Sequence, residues 1–365
     1  MTSSSQNGAR LYADRAGGTS RRSGNPPAVH FSTHFTPKSE PPTPLSVSEL
    51  AKLAVAEGFS DGGTAAAEYF LNRISYQHVS EYFDLFGEGV HRSLHDVHRV
   101  ILFDRKLQSI ILEYIGLFEL QFRAQYSYAM SLERGAFAHR NPRNYKDLGH
   151  FEDFLKKYED EFKRQVRNSR SVAQLYEEYG DVPLWKAVEF MSFGTLSMLY
   201  QNTRSRQVRT SVSDSFDVTR RELESWMRAL AAVRNRCAHF NRLCGRPLER
   251  RPVSIQGITS DNGSFFYAIL ILEKLLSTST VFMDDTSLCY GVAFYRRIVQ
   301  LFSDYRDLLP RCGVPDDWYD LMSREDLIGL PSVGRDTGIP ERQGAQFTVT
   351  LGETQGRHRM APLID

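Results

Sequence analysis

The chain has 365 residues, 41% of them hydrophobic, and carries 45 Lys and Arg against 44 Asp and Glu for a net charge of +1. That length holds one large core with tails or two average domains, and the near-neutral balance excludes a generic polyanion binder, so affinity for nucleic acid has to come from a local patch. No run of 18 apolar residues is present, which argues against a membrane-spanning helix, and the N-terminus lacks the apolar stretch of a secretory signal.

Residues 1–45 are rich in Ser, Gly, Pro and Arg and read as disordered. Ser46-x-x-Glu49 is a capping box that opens a helix through about Glu57, and a second helix is expected near Gly63–Arg73. His91, His95 and His98 fall on one helical face at i, i+4 and i+7. No Cys or well-placed carboxylate completes a metal set beyond the adjacent Asp96, so a solvated face is expected there. The longest predicted helix runs from about His95 to Glu133, with Leu107, Ile110, Ile111, Tyr114 and Leu117 at three- and four-residue spacing. A charged helical region follows at 148–168, then an apolar helix at 183–201. Trp185, Phe190, Phe193 and Trp226 sit at helical spacing among aliphatics and are expected in the core rather than stacked on bases. Phe265–Leu276 and Leu288–Leu309 complete the helices. Residues 324–365 return to Gly, Arg and Pro, with one short strand possible at Phe347–Leu351. Strand-period segments are scarce and no internal repeat is visible, so the fold class is all-α.

The helix expected over 219–243 carries the chemistry. Thr219-x-x-Glu222 caps its start, Leu223, Trp226, Met227, Leu230 and Val233 form its buried stripe, and Gly245 and Pro247 mark its end. Its last turns read Val233-Arg234-Asn235-Arg236-Cys237-Ala238-His239, followed by Asn241-Arg242-Leu243. Arg234 continues the apolar line at the edge of the core, while Asn235, His239 and Arg242 form a polar stripe. Arg234 and His239 lie about 140° apart at ~100° per residue. To serve one phosphate, either the helix tightens or bends, or a second subunit supplies part of the site. A bare Arg-x4-His spacing is weak, since Arg134 and His139 match it too. The four cysteines, Cys237, Cys244, Cys289 and Cys312, lack paired metal spacing and read as free thiols of a reducing cytoplasm. No Walker A, GxSxG or HExxH motif is present.

The Val233–Leu243 block resembles the signature of the abortive-infection (Abi, AbiD/AbiF-like) proteins of the HEPN superfamily, many of whose members are metal-independent ribonucleases. Other blocks agree in order: Tyr76–Tyr82, Phe103-Asp104-Arg105-Lys106-Leu107, Glu119 with Arg123, Pro183–Tyr200 and Gly313–Trp318. The family tends to have Arg where His78 and Gln108 stand here. The resemblance covers about residues 46–323 and implies a HEPN-like helical bundle at 46–323, between a tail at 1–45 and a tail at 324–365. It also implies a homodimer with both signatures at a shared cleft. It implies catalytic roles for Arg234, Asn235 and His239, and support for the cleft from Glu119 and Arg123. Imidazole suits proton transfer near neutrality, guanidinium matches phosphate oxygens, and Asn235 is placed to orient the imidazole or bond the phosphate. Arg236, Arg242, Arg246, Arg250 and Arg251, set with Arg234 against the single acid Glu249, form an expected RNA-binding patch. The functional expectation is a cytoplasmic phage-defence or toxin-like endoribonuclease without metal or cofactor. Its expected partners are RNA, such as a structured small RNA or tRNA, and a second copy of itself. The alternative is a catalytically silent RNA-binding module.

Overall fold

The computed structural model describes residues 43–59, 62–87, 92–279 and 289–324, with Leu327. His91, the strand expected at Phe347–Leu351 and all but the inner ends of the two tails lie outside them. The described residues form helices joined by turns and isolated bridges, with no strand among them, as the all-α expectation requires. Helices α1 (Val47–Ala56), α2 (Gly63–Leu71) and α3 (Tyr76–Ser80) lead into α4 (Leu94–Arg134). At 41 residues, α4 is about 60 Å long at ~1.5 Å per residue. There follow α5 (Leu148–Asn168), α6 (Arg170–Tyr179), α7 (Leu184–Ala187), α8 (Phe193–Asn202), α9 (Arg206–Asp214), α10 (Arg220–Ala238), α11 (Phe265–Leu276), α12 (Tyr290–Asp304) and α13 (Trp318–Met322).

Local chemistry sets the starts. Ser46 and Thr219 form the two expected capping boxes, with Glu49 and Glu222 accepting from their backbone N–H groups at 2.7 and 2.8 Å. The Ser93 hydroxyl accepts from Asp96 N at 3.2 Å to open α4. The axis of the molecule is α4, which packs against α8, α9, α10, α11 and α12. Its buried Phe103, Leu107, Ile111, Phe118, Phe122 and Tyr126 supply much of the aromatic core.

Three expectations are corrected. The apolar segment 183–201 is not one helix: α7 passes through a 3-10 turn and the chain opens at Met191, whose ψ is 139°, before Ser192 caps α8. Arg123 reaches across from α4 to the carbonyls of Glu189 and Met191, both at 2.9 Å, and so satisfies groups that the break leaves exposed. The signature helix ends at Ala238 rather than near residue 243. Trp226 and Phe193 are buried and Phe190 half-buried, as expected of core aromatics, but Trp185 is 48% exposed.

Of the two Arg-x4-His matches, the first is structural. Arg134 is paired with its neighbour Glu133. His139 is fully buried, its Nε2 3.3 Å from the Tyr158 hydroxyl, which itself donates to Asp181 at 2.9 Å. Burial pushes the imidazole down to about 4, against the weaker upward pull of Asp181. The unfolded chain therefore takes up this proton first, near 6.5. Stability should fall as pH drops from about 6.5 to about 4, by roughly 3 kcal/mol. In His139→Gln this loss is absent, so the stability gap between parent and variant should narrow by that amount between pH 7 and pH 4 in denaturant titrations. A gap that does not change with pH overturns the assignment.

Candidate functional site

The end of α10 is shaped by tertiary claims on the chain beyond it. Asn241 N donates to Arg236 O at 2.9 Å and Phe240 N to Cys237 O at 3.0 Å, a Schellman closure. Phe240 occupies the left-handed position with φ 57°, where a residue other than glycine costs about 1–2 kcal/mol. Asp104 on α4 is fully buried and holds the backbone that follows. Its carboxylate accepts from Leu243 N at 3.0 Å and Cys244 N at 3.2 Å, and also from the Tyr82 hydroxyl at 2.8 Å and Gln108 Nε2 at 3.2 Å.

Arg105, the next residue of α4, secures the turn itself. It donates to Phe240 O at 2.6 Å, to Gln108 Oε1 at 2.7 Å and to His78 Nε2 at 2.7 Å, and its guanidinium lies 5.0 Å from the Phe240 ring. Arginine has only donors, so His78 accepts. Burial and the adjacent Arg105 charge both push the His78 imidazole down, in keeping with a neutral acceptor. Gln108 completes the clamp by donating to Asn241 O at 2.9 Å. Both positions where the family tends to have Arg thus meet on the same guanidinium.

Arg242, expected on the RNA-binding face, points inward. It is 3% exposed and donates to Cys244 O at 2.6 Å, to the Glu81 carbonyl and to the Asp84 carboxylate. It ties α10's exit to the α3 segment and leaves the cationic patch. The patch is thinner than its sequence suggests for a second reason. Arg236 meets Glu249 at 3.4 Å, Arg246 meets Asp84 at 3.8 Å and Arg251 meets Asp261 at 3.2 Å. Asp84 lies far away in sequence and Asp261 just past the arginine run, so a charge tally over 234–251 sees neither. Arg250, with no ion-pair partner among the described residues, lines a second cleft beside Arg228 and Lys146.

Arg234, Asn235 and His239 have a different character. His239 is the C-cap of α10. Its backbone N–H donates to Asn235 O at 3.0 Å while its ring is exposed and makes no hydrogen bond among the described residues. Asn235, one turn earlier, is exposed too, and Arg234 reaches its Oδ1 at 3.4 Å. The Arg234 side chain lines a cleft of about 610 Å³ that also holds Glu119 and Arg123, the pair expected to support the site. Arg123 donates to Glu119 at 2.5 Å and pins the 189–191 break. His239 is not part of that cleft. Within one chain, then, Arg234 is brought together with Glu119 and Arg123, and His239 stands apart at the helix tip.

In the sequence Tyr82, Asp104 and Arg105 stand out only as members of the family-like blocks, and no motif marks Lys157 and Lys186 as lining the cleft. The i, i+1, i+4 polar set of Asp104, Arg105 and Gln108 inside an apolar helix was the available signal. All four cysteines are free and buried, and burial pushes Cys237 up to about 12, so it stays a thiol. His98 packs edge-on to Phe70 and His95 lies 3.9 Å from Asp96. Among the described residues no helix is long and apolar enough to cross a membrane.

The family model for Abi-like proteins matches residues 69–244, a segment that runs from α2 to Cys244 and so contains the clamp, the cleft and the signature. Over that segment the chain is similar to the Abi-like proteins. The Gly313–Trp318 block falls outside it. No curated protein matches the chain, and no solved structure does.

Asp104→Ala removes the buried acceptor shared by Tyr82, Gln108, Leu243 N and the Cys244 N–H and thiol, and should cost about 3–5 kcal/mol of stability, measured by urea unfolding. His239→Ala, which removes no side-chain hydrogen bond or ion pair among the described residues, should leave the midpoint unchanged. Equal effects from the two would overturn this division between a buried clamp and a displayed imidazole.

Proposed function

We propose that this protein is a phage-defence effector of the HEPN type that cleaves RNA without a metal, with His239, Arg234 and Asn235 as its working groups. The observation that carries the reading is the ring of His239, held by its backbone at the end of α10 but given no bond among the described residues. A histidine needed for packing has partners, as His139 does. His239 is free to meet a substrate.

The chemistry asks for little else. The 2′-hydroxyl of one ribose attacks the adjacent phosphorus, its proton passes to the His239 imidazole, and the imidazolium so formed returns a proton to the departing 5′-oxygen as the P–O5′ bond breaks. The products are a 2′,3′-cyclic phosphate and a 5′-hydroxyl. Arg234 stabilises the charge that builds on the phosphoryl oxygens. Asn235 orients the phosphate or the imidazole. Because Arg234 lies in the cleft and His239 at the tip, a second copy facing the first supplies the complementary half of the site. The same separation favours the alternative, an RNA-binding module that does not cut, if the protein proves monomeric.

Each of Arg234→Ala and His239→Ala should lower cleavage of cellular RNA by about 10²-fold or more. His239→Ala should keep most of the RNA affinity. Activity should survive EDTA, and products should end in 2′,3′-cyclic or 3′-phosphates when their termini are mapped. Cleavage that needs Mg²⁺ and leaves 5′-phosphates sinks the mechanism. Sedimentation at micromolar concentration should show a dimer, and a monomer that nonetheless binds RNA without turnover selects the alternative.

A further inference from the structure

The cleft beside Arg234 carries more positive charge than the fold uses. Five cations line it, Arg123, Lys157, Arg164, Lys186 and Arg234, against the carboxylates of Glu119, Glu161 and Glu189. Two of those cations are already engaged: Arg123 with Glu119 at 2.5 Å, and Arg164 with Glu161 at 2.7 Å. Glu189 stands 4.0 Å from Arg123 and is half exposed. The other three, Lys157, Lys186 and Arg234, have no carboxylate partner among the described residues. Among the described residues Lys157 Nζ has only the Met198 sulfur at 3.9 Å, and Arg234 only the Asn235 amide oxygen. Arg123 adds a buried Nε–H with no acceptor among the described residues. Polar groups in such positions normally have a partner.

We infer that this cleft binds the phosphates of a single nucleic-acid strand, with Lys157 and Lys186 holding phosphates that flank the one at Arg234. The three cations come from three different elements, α5, α7 and α10, around about 610 Å³. That volume is in the roughly 300–1,000 Å³ range of ligand sites and exceeds one phosphate group. Lysines act as point charges on a passing backbone, while the arginine fork fixes one group. The strand rests on the reading of RNA as the ligand, whereas the phosphate site stands on the cleft's charges.

The test uses the full chain and a 2′-O-methyl oligonucleotide, which lacks the attacking hydroxyl and so reports binding without cleavage. Lys157→Ala/Lys186→Ala should weaken its binding by about tenfold or more and lower the salt slope by roughly one to two, and kcat for a cleavable RNA should hold while KM rises. Lys157→Gln/Lys186→Gln should reproduce the loss, which guards against a folding defect in the alanine form. Arg250→Ala, in the other cleft, should have the smaller effect. Inorganic pyrophosphate should compete weakly with the oligonucleotide. If pyrophosphate binds as tightly as the oligonucleotide, the strand is overturned in favour of a small phosphate ligand. Unchanged oligonucleotide affinity in both double variants overturns the site. Failure to find cleavage in any form, with the lysine effect on binding intact, refutes the nuclease reading and leaves the cleft assignment standing.

Discussion

The arrangement of the site depends on one buried carboxylate. Asp104 has no solvent contact, and it is stabilised by two backbone N–H groups from beyond α10, a tyrosine hydroxyl and a glutamine amide. Taking a charge out of water costs several kcal/mol unless its lone pairs are filled by donors, and hydrogen bonds to a charged group return roughly twice what neutral ones do. These donors come from three parts of the chain: α3's exit, α4 itself and the 243–244 backbone. Satisfying this one group therefore assembles three segments at once and fixes where the chain must be after α10 ends.

That constraint also explains which features were legible in the sequence. Helix starts were, because a Ser or Thr three residues before a Glu is a local device that works in isolation. Phe265–Leu276 is legible to the residue because eight apolar residues follow the Ser264 cap and, past Glu273 and Lys274, Leu275 and Leu276 keep the apolar face up to Ser277. The end of α10 was not. Gly245 and Pro247 looked like the stop, yet the helix closes at Phe240, a residue with no local propensity for the left-handed conformation it adopts. The signal was Asp104, more than a hundred residues earlier, and no periodicity connects the two. The break at Met191 failed to show for the same reason, since the arginine that supports it stands on α4.

The candidate site divides along the same line. Arg234, Asn235 and His239 were found from their spacing and from a family resemblance, but spacing alone treats Arg134 and His139 as equals of Arg234 and His239. Environment separates them: one imidazole is buried and pushed down to about 4, the other is exposed and makes no hydrogen bond among the described residues. The arginine run 234–251 likewise looked uniform, with one acid among six cations. In three dimensions Asp84 alone accounts for Arg242 and Arg246, and Asp261 for Arg251. A charge tally along the chain overstates a patch whenever the neutralising acids come from elsewhere.

What remains after folding has used its share is the most informative quantity in the molecule. The conspicuous polar residues of the signature split into those the core consumes and those it displays. Arg242 and Asp104 are consumed, and the left-handed turn at Phe240 is held by Arg105 at a local cost of about 1–2 kcal/mol. The immediate result of that expense is geometric. The chain leaves the helix axis sharply enough that His239, Phe240 and Asn241 all face solvent while Leu243 and Cys244 return to the core. A helix that ran on to residue 243 would carry Leu243 and Cys244 away from Asp104 and leave its carboxylate short of two donors. The buried clamp and the displayed histidine are therefore two consequences of a single chain reversal.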